Sequence, residues 1–263
     1  MSDAPSAPVE LPRRRRRRVW PWVLLGSVVV LAGAAVAADV LVRGYAERAI
    51  AEQVATELEV PDGTPVDVRI GGFSILLQAL TGSLERVDVG VDTLALGPLT
   101  GDLDIVATGV PLDENVPTRA LTVRYAIPAS ALTALAPELS GVTVDEVTLE
   151  GSEVVARGTV TVFGVSLDLG LGLTPSAVDG DLAFDATSIR IGEQTLTVEE
   201  LRGNLLLGGL ADMLLQQRTV CIADALPAAL TLTDVRVDGT ELVATLDGSG
   251  AVLGSLGDKG VCG

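Results

Sequence analysis

The chain of 263 residues contains no histidine. Histidine is the one side chain that titrates near neutral pH unaided, and it is the commonest metal ligand. Its absence removes the usual general base and the usual metal site. Cysteine occurs only as Cys221 and Cys262. A catalytic thiol needs a base partner and no histidine can serve, so in an exported chain the two read as one disulfide tying the C-terminal tail to the body. Aromatics are equally scarce, with three Phe, two Tyr and two Trp. The apolar content is instead Val, Leu, Ala and Ile with 29 Gly, a composition that favours many strands with small, smooth faces. Basic residues are few and badly distributed. Residues 1–38 hold six Arg against Asp3 and Glu10, a net +4, whereas residues 39–263 hold 12 Lys and Arg against 33 Asp and Glu, a net −21. So acidic a body repels nucleic acid and has no global attraction to anionic headgroups. Any lipid contact must be apolar or use a local basic spot.

What is present is organised around the N-terminus. Arg13 to Arg18 form an unbroken basic block, and Val19 to Ala38 follow without a charge. Twenty helical residues at about 1.5 Å each span roughly 30 Å, the hydrocarbon thickness of a bilayer. The arginines are expected to stay cytoplasmic and everything after Asp39 to lie outside, a single-pass arrangement at the cell membrane. Trp20 and Trp22 suit the cytoplasmic interface. Ala35-Val36-Ala37 also resembles a signal-peptide cleavage site, so residues 19–38 are a transmembrane anchor or a signal segment. Residues 1–18 read as a disordered basic cytoplasmic tail, and 39–263 as one extracytoplasmic β-rich domain.

Asp39 to Glu59 keeps helical spacing, with Leu41, Tyr45, Ala49, Val54 and Leu58, and Val42, Ala46 and Ile50, forming a broad apolar stripe. Pro61-Asp62-Gly63 ends it. From Val66 the period becomes two. Val66, Val68 and Ile70 alternate with Asp67 and Arg69; Val87, Val89 and Val91 with Asp88, Gly90 and Asp92; Leu103 and Ile105 with Asp102 and Asp104. The longest alternation places Phe163, Val165, Leu167, Leu169, Leu171 and Leu173 on one face. Turn signals separate the strands at Gly97-Pro98, Glu150-Gly151-Ser152, Asp179-Gly180 and Asp238-Gly239-Thr240. The class is α+β, mostly β: a long curved antiparallel sheet wrapped on an N-terminal amphipathic helix, plus one N-terminal transmembrane helix. Residues 146–156, EVTLEGSEVVA, align with 234–244, DVRVDGTELVA, as two acidic hairpins with a glycine turn or as a duplicated unit.

Three segments interrupt the strands. Phe73 to Leu80 is a short apolar helix or loop between Gly71-Gly72 and Gly82. It either caps the end of the sheet or forms a mouth or membrane-touching tip. Pro128 to Leu139 reads as a short helix. Asn204 to Gln217 reads as a helix with Leu206, Leu210 and Leu214 on one face. A groove between a curled sheet and such helices would take acyl chains by burial alone, at about 0.8 kcal/mol per CH₂. The candidate lipid-binding residues are Phe73, Ile75, Leu76, Leu77, Leu80, Leu206, Leu210 and Leu214, with headgroups near Arg69 or Arg86. No Walker loop, nucleophile elbow or metal spacing occurs, and Gly170-Leu171-Gly172 belongs to a strand pattern. Carboxylate pairs such as Asp102/Asp104 and Asp113/Glu114 read as solvated surface. No catalytic residue, metal or cofactor is expected.

The order Ile70-Gly71-Gly72-Phe73-Ser74-Ile75-Leu76-Leu77-Gln78, then Gly82-Ser83-Leu84-Glu85-Arg86-Val87, resembles the actinobacterial LmeA-like phospholipid-binding proteins. Gly109-Val110-Pro111-Leu112, Ile127-Pro128 and Leu226-Pro227 continue the likeness, which covers roughly residues 20–253. Ser74 departs from it, standing where a proline is common. The resemblance implies a tubular-lipid-binding-like fold. It also implies phospholipid as partner, phosphatidylinositol species included, and a role in maturation of the envelope glycolipid lipomannan. Two other classes stay open from the residues alone: an envelope scaffold or interaction domain, and a carboxylate-dependent glycan hydrolase.

Overall fold

The structure, a computed structural model, describes residues 20–61, 63–96, 99–133, 144–162, 165–192, 194–203 and 218–262. It divides into two units, residues 1–41 and 42–263. Helix α1 (Trp20–Glu57) is one continuous α-helix. Its stretch from Leu25 onward is long and apolar enough to cross a membrane. Val29, Val30 and Leu31 are exposed, so this run is not the buried core helix of a soluble domain. The C-terminal part of α1 behaves differently. Ala46, Ile50, Ala51, Val54 and Leu58 pack against the sheet core, while Leu41 and Tyr45 of the predicted stripe stay exposed. The helix stops where Glu59 turns left-handed (φ 50°), with Leu58 and Val60 amides returning to the carbonyls of Val54 and Ala55.

Among the described residues twelve strands follow. They are β1 (Val66–Ile70), β2 (Ser83–Leu96), β3 (Leu99–Pro111), β4 (Ala120–Pro128), β5 (Glu146–Glu150), β6 (Glu153–Val162), β7 (Val165–Val178), β8 (Asp181–Ile191), β9 (Gln194–Thr197), β10 (Arg218–Val220), β11 (Thr231–Asp238) and β12 (Glu241–Asp247). Every pairing is antiparallel. The antiparallel, mostly-β class is therefore the one the chain adopts, distributed over two sheets. The first runs β1-β2-β3-β4-β12-β11 and the second β10-β8-β7-β6-β5, with β9 added to β8. The division has a topological cause. After β4 the chain departs to build β5–β10, then returns so that Leu242, Ala244 and Leu246 of β12 pair with Ile127, Tyr125 and Val123. β11 lies against β7 and β8 without pairing to them. Residues 129–133 are helical, as expected after Pro128; the rest of that predicted helix, and Gly97-Pro98 and Phe163, lie outside the described residues.

The period-two reading is visible in burial. Val68, Ile70, Val87, Val89, Val91 and Leu103 are buried, whereas Arg69 between the first two is exposed and Asp88 between the next two is half-exposed. Each such buried Val or Leu contributes about 1.5–3 kcal/mol. The second sheet adds Val147 and Val154 to the same cluster. The two similar sequence segments form corresponding hairpins, β5–β6 and β11–β12. Each turns on a glycine in the left-handed region, Gly151 (φ +63°) and Gly239 (φ +64°), and each supplies the edge strand of its sheet. The short helix α3 (Val198–Arg202) opens with a capping box. Thr197 and Glu200 each accept from the other's backbone N–H, which holds the Glu200 carboxyl below its ordinary range. Cys221 and Cys262 are disulfide-bonded.

Candidate functional site

The segment between β1 and β2 is a helical tip. Ser74 caps helix α2 (Ile75–Thr81), its hydroxyl accepting from the Leu77 amide at 3.3 Å, and Gly82 closes the helix in the left-handed region. The serine at the position where proline is common therefore supplies a side-chain cap that proline would lack. α2 is inverted relative to an ordinary surface helix. Ile75 (5% exposed) and Gln78 (4%) point inward, whereas Phe73 (91%), Leu77 (56%) and Leu80 (84%) point to solvent, with Leu76 also exposed. Leu112 extends the patch: its amide donates to the Gly82 carbonyl and its side chain is exposed. Ile75 thus anchors the tip, and the other four candidates do not line a closed groove.

Gln78 explains the inversion. Its amide nitrogen donates to the Gly71 carbonyl at 3.0 Å, and its amide oxygen accepts from the Glu85 backbone N–H at 2.7 Å. One side chain satisfies both strands at the base of the tip. Gly72 (φ +94°) must be glycine here, because a Cβ would stand 2.5 Å from the Gln78 Nε2. From the other side, Arg43 of α1 donates to the carbonyls of Ile70 and Gly72, and Glu47 accepts from the Ile70 amide at 2.9 Å. Nothing in the spacing of FSILLQAL marks this glutamine as the latch; it looks like the polar residue of an apolar run. Gln78→Leu keeps the size and removes both hydrogen bonds. It is expected to cost about 2 kcal/mol in urea unfolding, with accelerated amide exchange confined to residues 71–85.

The second sheet carries the other candidate surface. Register places Ala156, Leu171 and Ile189 side by side, with Gly158 and Leu169 one pair along and Val154 and Leu173 the other way. Leu169, Leu171, Leu173 and Ile189 are only half-buried, unlike the packed leucines of the first sheet. The long alternation in the sequence therefore marks a face that is aliphatic and partly open. The opposite face is ionic. Arg190 bridges Glu150 at 2.6 Å and Glu153 at 3.7 Å, and Arg157 reaches Glu150 at 2.6 Å. The Arg190 hydrogen bond holds the Glu150 carboxyl below the usual carboxylate range. Gly170 and Gly172 make room for these side chains: a Cβ on Gly172 would stand 2.8 Å from a Glu153 carboxylate oxygen.

Among the described residues two shallow clefts stand out. One, of about 240 Å³, lies between Gly44, Glu47, Arg48 and Ala51 of α1 and Val66–Val68 of β1. The other, of about 140 Å³, lies on the charged face around Gly90, Asp67, Arg69, Asp88 and Asp104. Both fall below the roughly 300–1,000 Å³ of ordinary ligand pockets, and neither has the volume of a diacyl lipid. The proposed headgroup cations are already partnered, Arg69 with Asp67 at 2.5 Å and Arg86 with Asp88 at 2.6 Å. Asp102 and Asp104 are exposed as expected. Asp102 accepts from the Thr93 amide at 2.9 Å, and Asp104 lies 3.9 Å from Arg124. Leu206, Leu210 and Leu214 lie outside the described residues.

An antiparallel β domain with a half-open aliphatic sheet face and an exposed leucine tip, preceded by an apolar helix, has the surfaces of an apolar-ligand binder. Residues 37–247 match the family model of LmeA-like phospholipid-binding proteins, and the chain belongs to that family. Neither the curated proteins nor the solved structures yield a match.

Proposed function

We propose that this protein is a membrane-tethered, extracytoplasmic phospholipid-binding protein, held by residues 19–38 with its N-terminus cytoplasmic. The observation that carries the reading is the half-buried aliphatic row Leu169, Leu171, Leu173 and Ile189 in a chain of a phospholipid-binding family. Acyl chains lie along this face by burial alone, which needs no catalytic group. Leu206, Leu210 and Leu214, which share one helical face by sequence, are proposed as further acyl-chain contacts. Phe73, Leu76, Leu77 and Leu80 complete the lipid-contacting set, on a tip that the buried Ile75 anchors. The ligand is a phospholipid, phosphatidylinositol-type included. The function is to carry or sense it during maturation of envelope lipomannan, as the family resemblance implies.

The small volume of the two clefts favours a second reading, an envelope scaffold that holds no lipid. Native mass spectrometry of the full chain released from detergent separates the two. The wild-type chain is expected to retain one phospholipid after exposure to phosphatidylinositol vesicles. Leu171→Gln, which puts an amide into the aliphatic row, is expected to lose it. Equal lipid retention by both would remove the aliphatic row from the lipid site, and no retention by either would leave the scaffold.

A further inference from the structure

We propose that the α2 tip is a bilayer-docking wedge, with Phe73, Leu77 and Leu80 inserted into the outer leaflet close to where α1 emerges from it. The inference rests on the tethered reading above and adds a second membrane contact, made by the folded domain itself.

Three observations point to a lipid surface. First, exposed large hydrophobics are clustered. Beyond α1, eight occur among the described residues, and five of them (Phe73, Leu76, Leu77, Leu80 and Leu112) sit on or beside α2. Contiguous patches of this kind on an otherwise polar surface mark contact with a membrane or another protein. Second, Ile70 to Leu84 carries no charge, in a body whose net charge is −21. The part that enters lipid has to carry no carboxylate itself, and the charges stay at its base: Arg43 and Glu47 on the strand end, Glu85 beside Gly72, and the ion-paired Arg69 and Arg86. Third, the tether is short. Arg43 follows Ala38, the last residue of the charge-free run, by five positions, and it donates to the carbonyl of Gly72, the residue before Phe73. Five residues reach at most about 17 Å even when fully extended, so chain length alone holds the base of the tip near the bilayer surface. The inverted helix then has a physical reason. Gln78 and Ile75 fix α2 to the sheet by its inner face, leaving the leucine face to a solvent that is not water.

The test uses the full chain reconstituted into vesicles of phosphatidylcholine and phosphatidylglycerol. The vesicles contain a phosphatidylcholine with a photoreactive diazirine near the end of one acyl chain. After irradiation, lipid adducts are mapped by peptide mass spectrometry. Adducts are expected on residues 70–84 as well as on α1. In the variant Phe73→Asp/Leu77→Asp/Leu80→Asp, whose changes fall on exposed positions, adducts on 70–84 are expected to drop roughly tenfold while those on α1 persist. Circular dichroism confirms that the strands remain. A wild-type chain labelled on α1 and not on 70–84 overturns the wedge. Labelling of 70–84 in a chain that retains no lipid in native mass spectrometry supports the wedge while removing the lipid-carrying function. The two readings therefore fail separately.

Discussion

Replacing Cys221 and Cys262 by alanine is expected to lower the unfolding free energy by about 4 kcal/mol. The bridge joins residues 41 positions apart. In the chain-entropy account, removing a loop closure of that size from the unfolded ensemble is worth about 4 kcal/mol. Its placement makes the constraint tertiary. Cys221 directly follows β10 of the second sheet, while the loop it closes contains β11 and β12 of the first. The tail before Cys262 is also held by backbone bonds, from the Ala228 amide to Asp258 and from the Gly260 amide to Leu226. These bonds remain in the variant, so the strands should persist, with the loss appearing as a lower urea midpoint and, because the uncross-linked unfolded chain is more expanded, a somewhat steeper slope. Amide exchange should quicken first in residues 256–262. A change below about 1 kcal/mol would show that the native contacts, not the bridge, hold the tail.

Gly101→Ala is expected to destabilise the domain by about 3 kcal/mol, a large effect for one methyl group. A Cβ at Gly101 would stand 2.4 Å from the Ala126 carbonyl oxygen and 3.1 Å from the Tyr125 ring. The first contact is with backbone of the neighbouring strand, which cannot rotate away. Tyr125 is buried, and its hydroxyl donates toward the carbonyls of Leu94 (2.9 Å) and Leu99 (3.2 Å), so its ring is pinned as well. The same region holds a bulge between Val91 and Leu94. There Thr93 sits in the left-handed region (φ 54°), with its amide on the Asp102 carboxylate. Displacing Tyr125 would therefore loosen the far end of β2 and β3 together. Tyr125→Phe, which removes only the hydroxyl, is expected to cost about 1–2 kcal/mol and serves as the comparison. Equal effects from the two variants would mean that the ring yields without resistance.

How much of this was legible differs from element to element. The strands were, because burial on one sheet face imposes a period of two. Val87, Val89 and Val91 point inward for the reason their spacing suggested. The hairpin turns were too: at Asp179-Gly180 both residues occupy the left-handed region, φ 53° and 89°, as an Asp-Gly turn favours. The disulfide followed from there being two cysteines and no base. The division into two sheets was not legible. It depends on the pairing of β12 with β4 across more than a hundred residues, and alternation does not encode which strand is the neighbour. Nor was the role of Gly101, whose significance lies in the Ala126 carbonyl beside it.

By itself, then, the sequence determined a charge-split chain with a bilayer-length apolar run, an acidic antiparallel β body and a single cysteine pair. Each of these follows from composition or from a local period. Only the tertiary structure decided the sense of α2. Locally, Gln78 belongs outside and the leucines inside. The Gly71 carbonyl and the Glu85 amide, brought together by the pairing of β1 with β2, need a partner more than the leucines need a core. Meeting that backbone demand turned the helix over and left its apolar face outward.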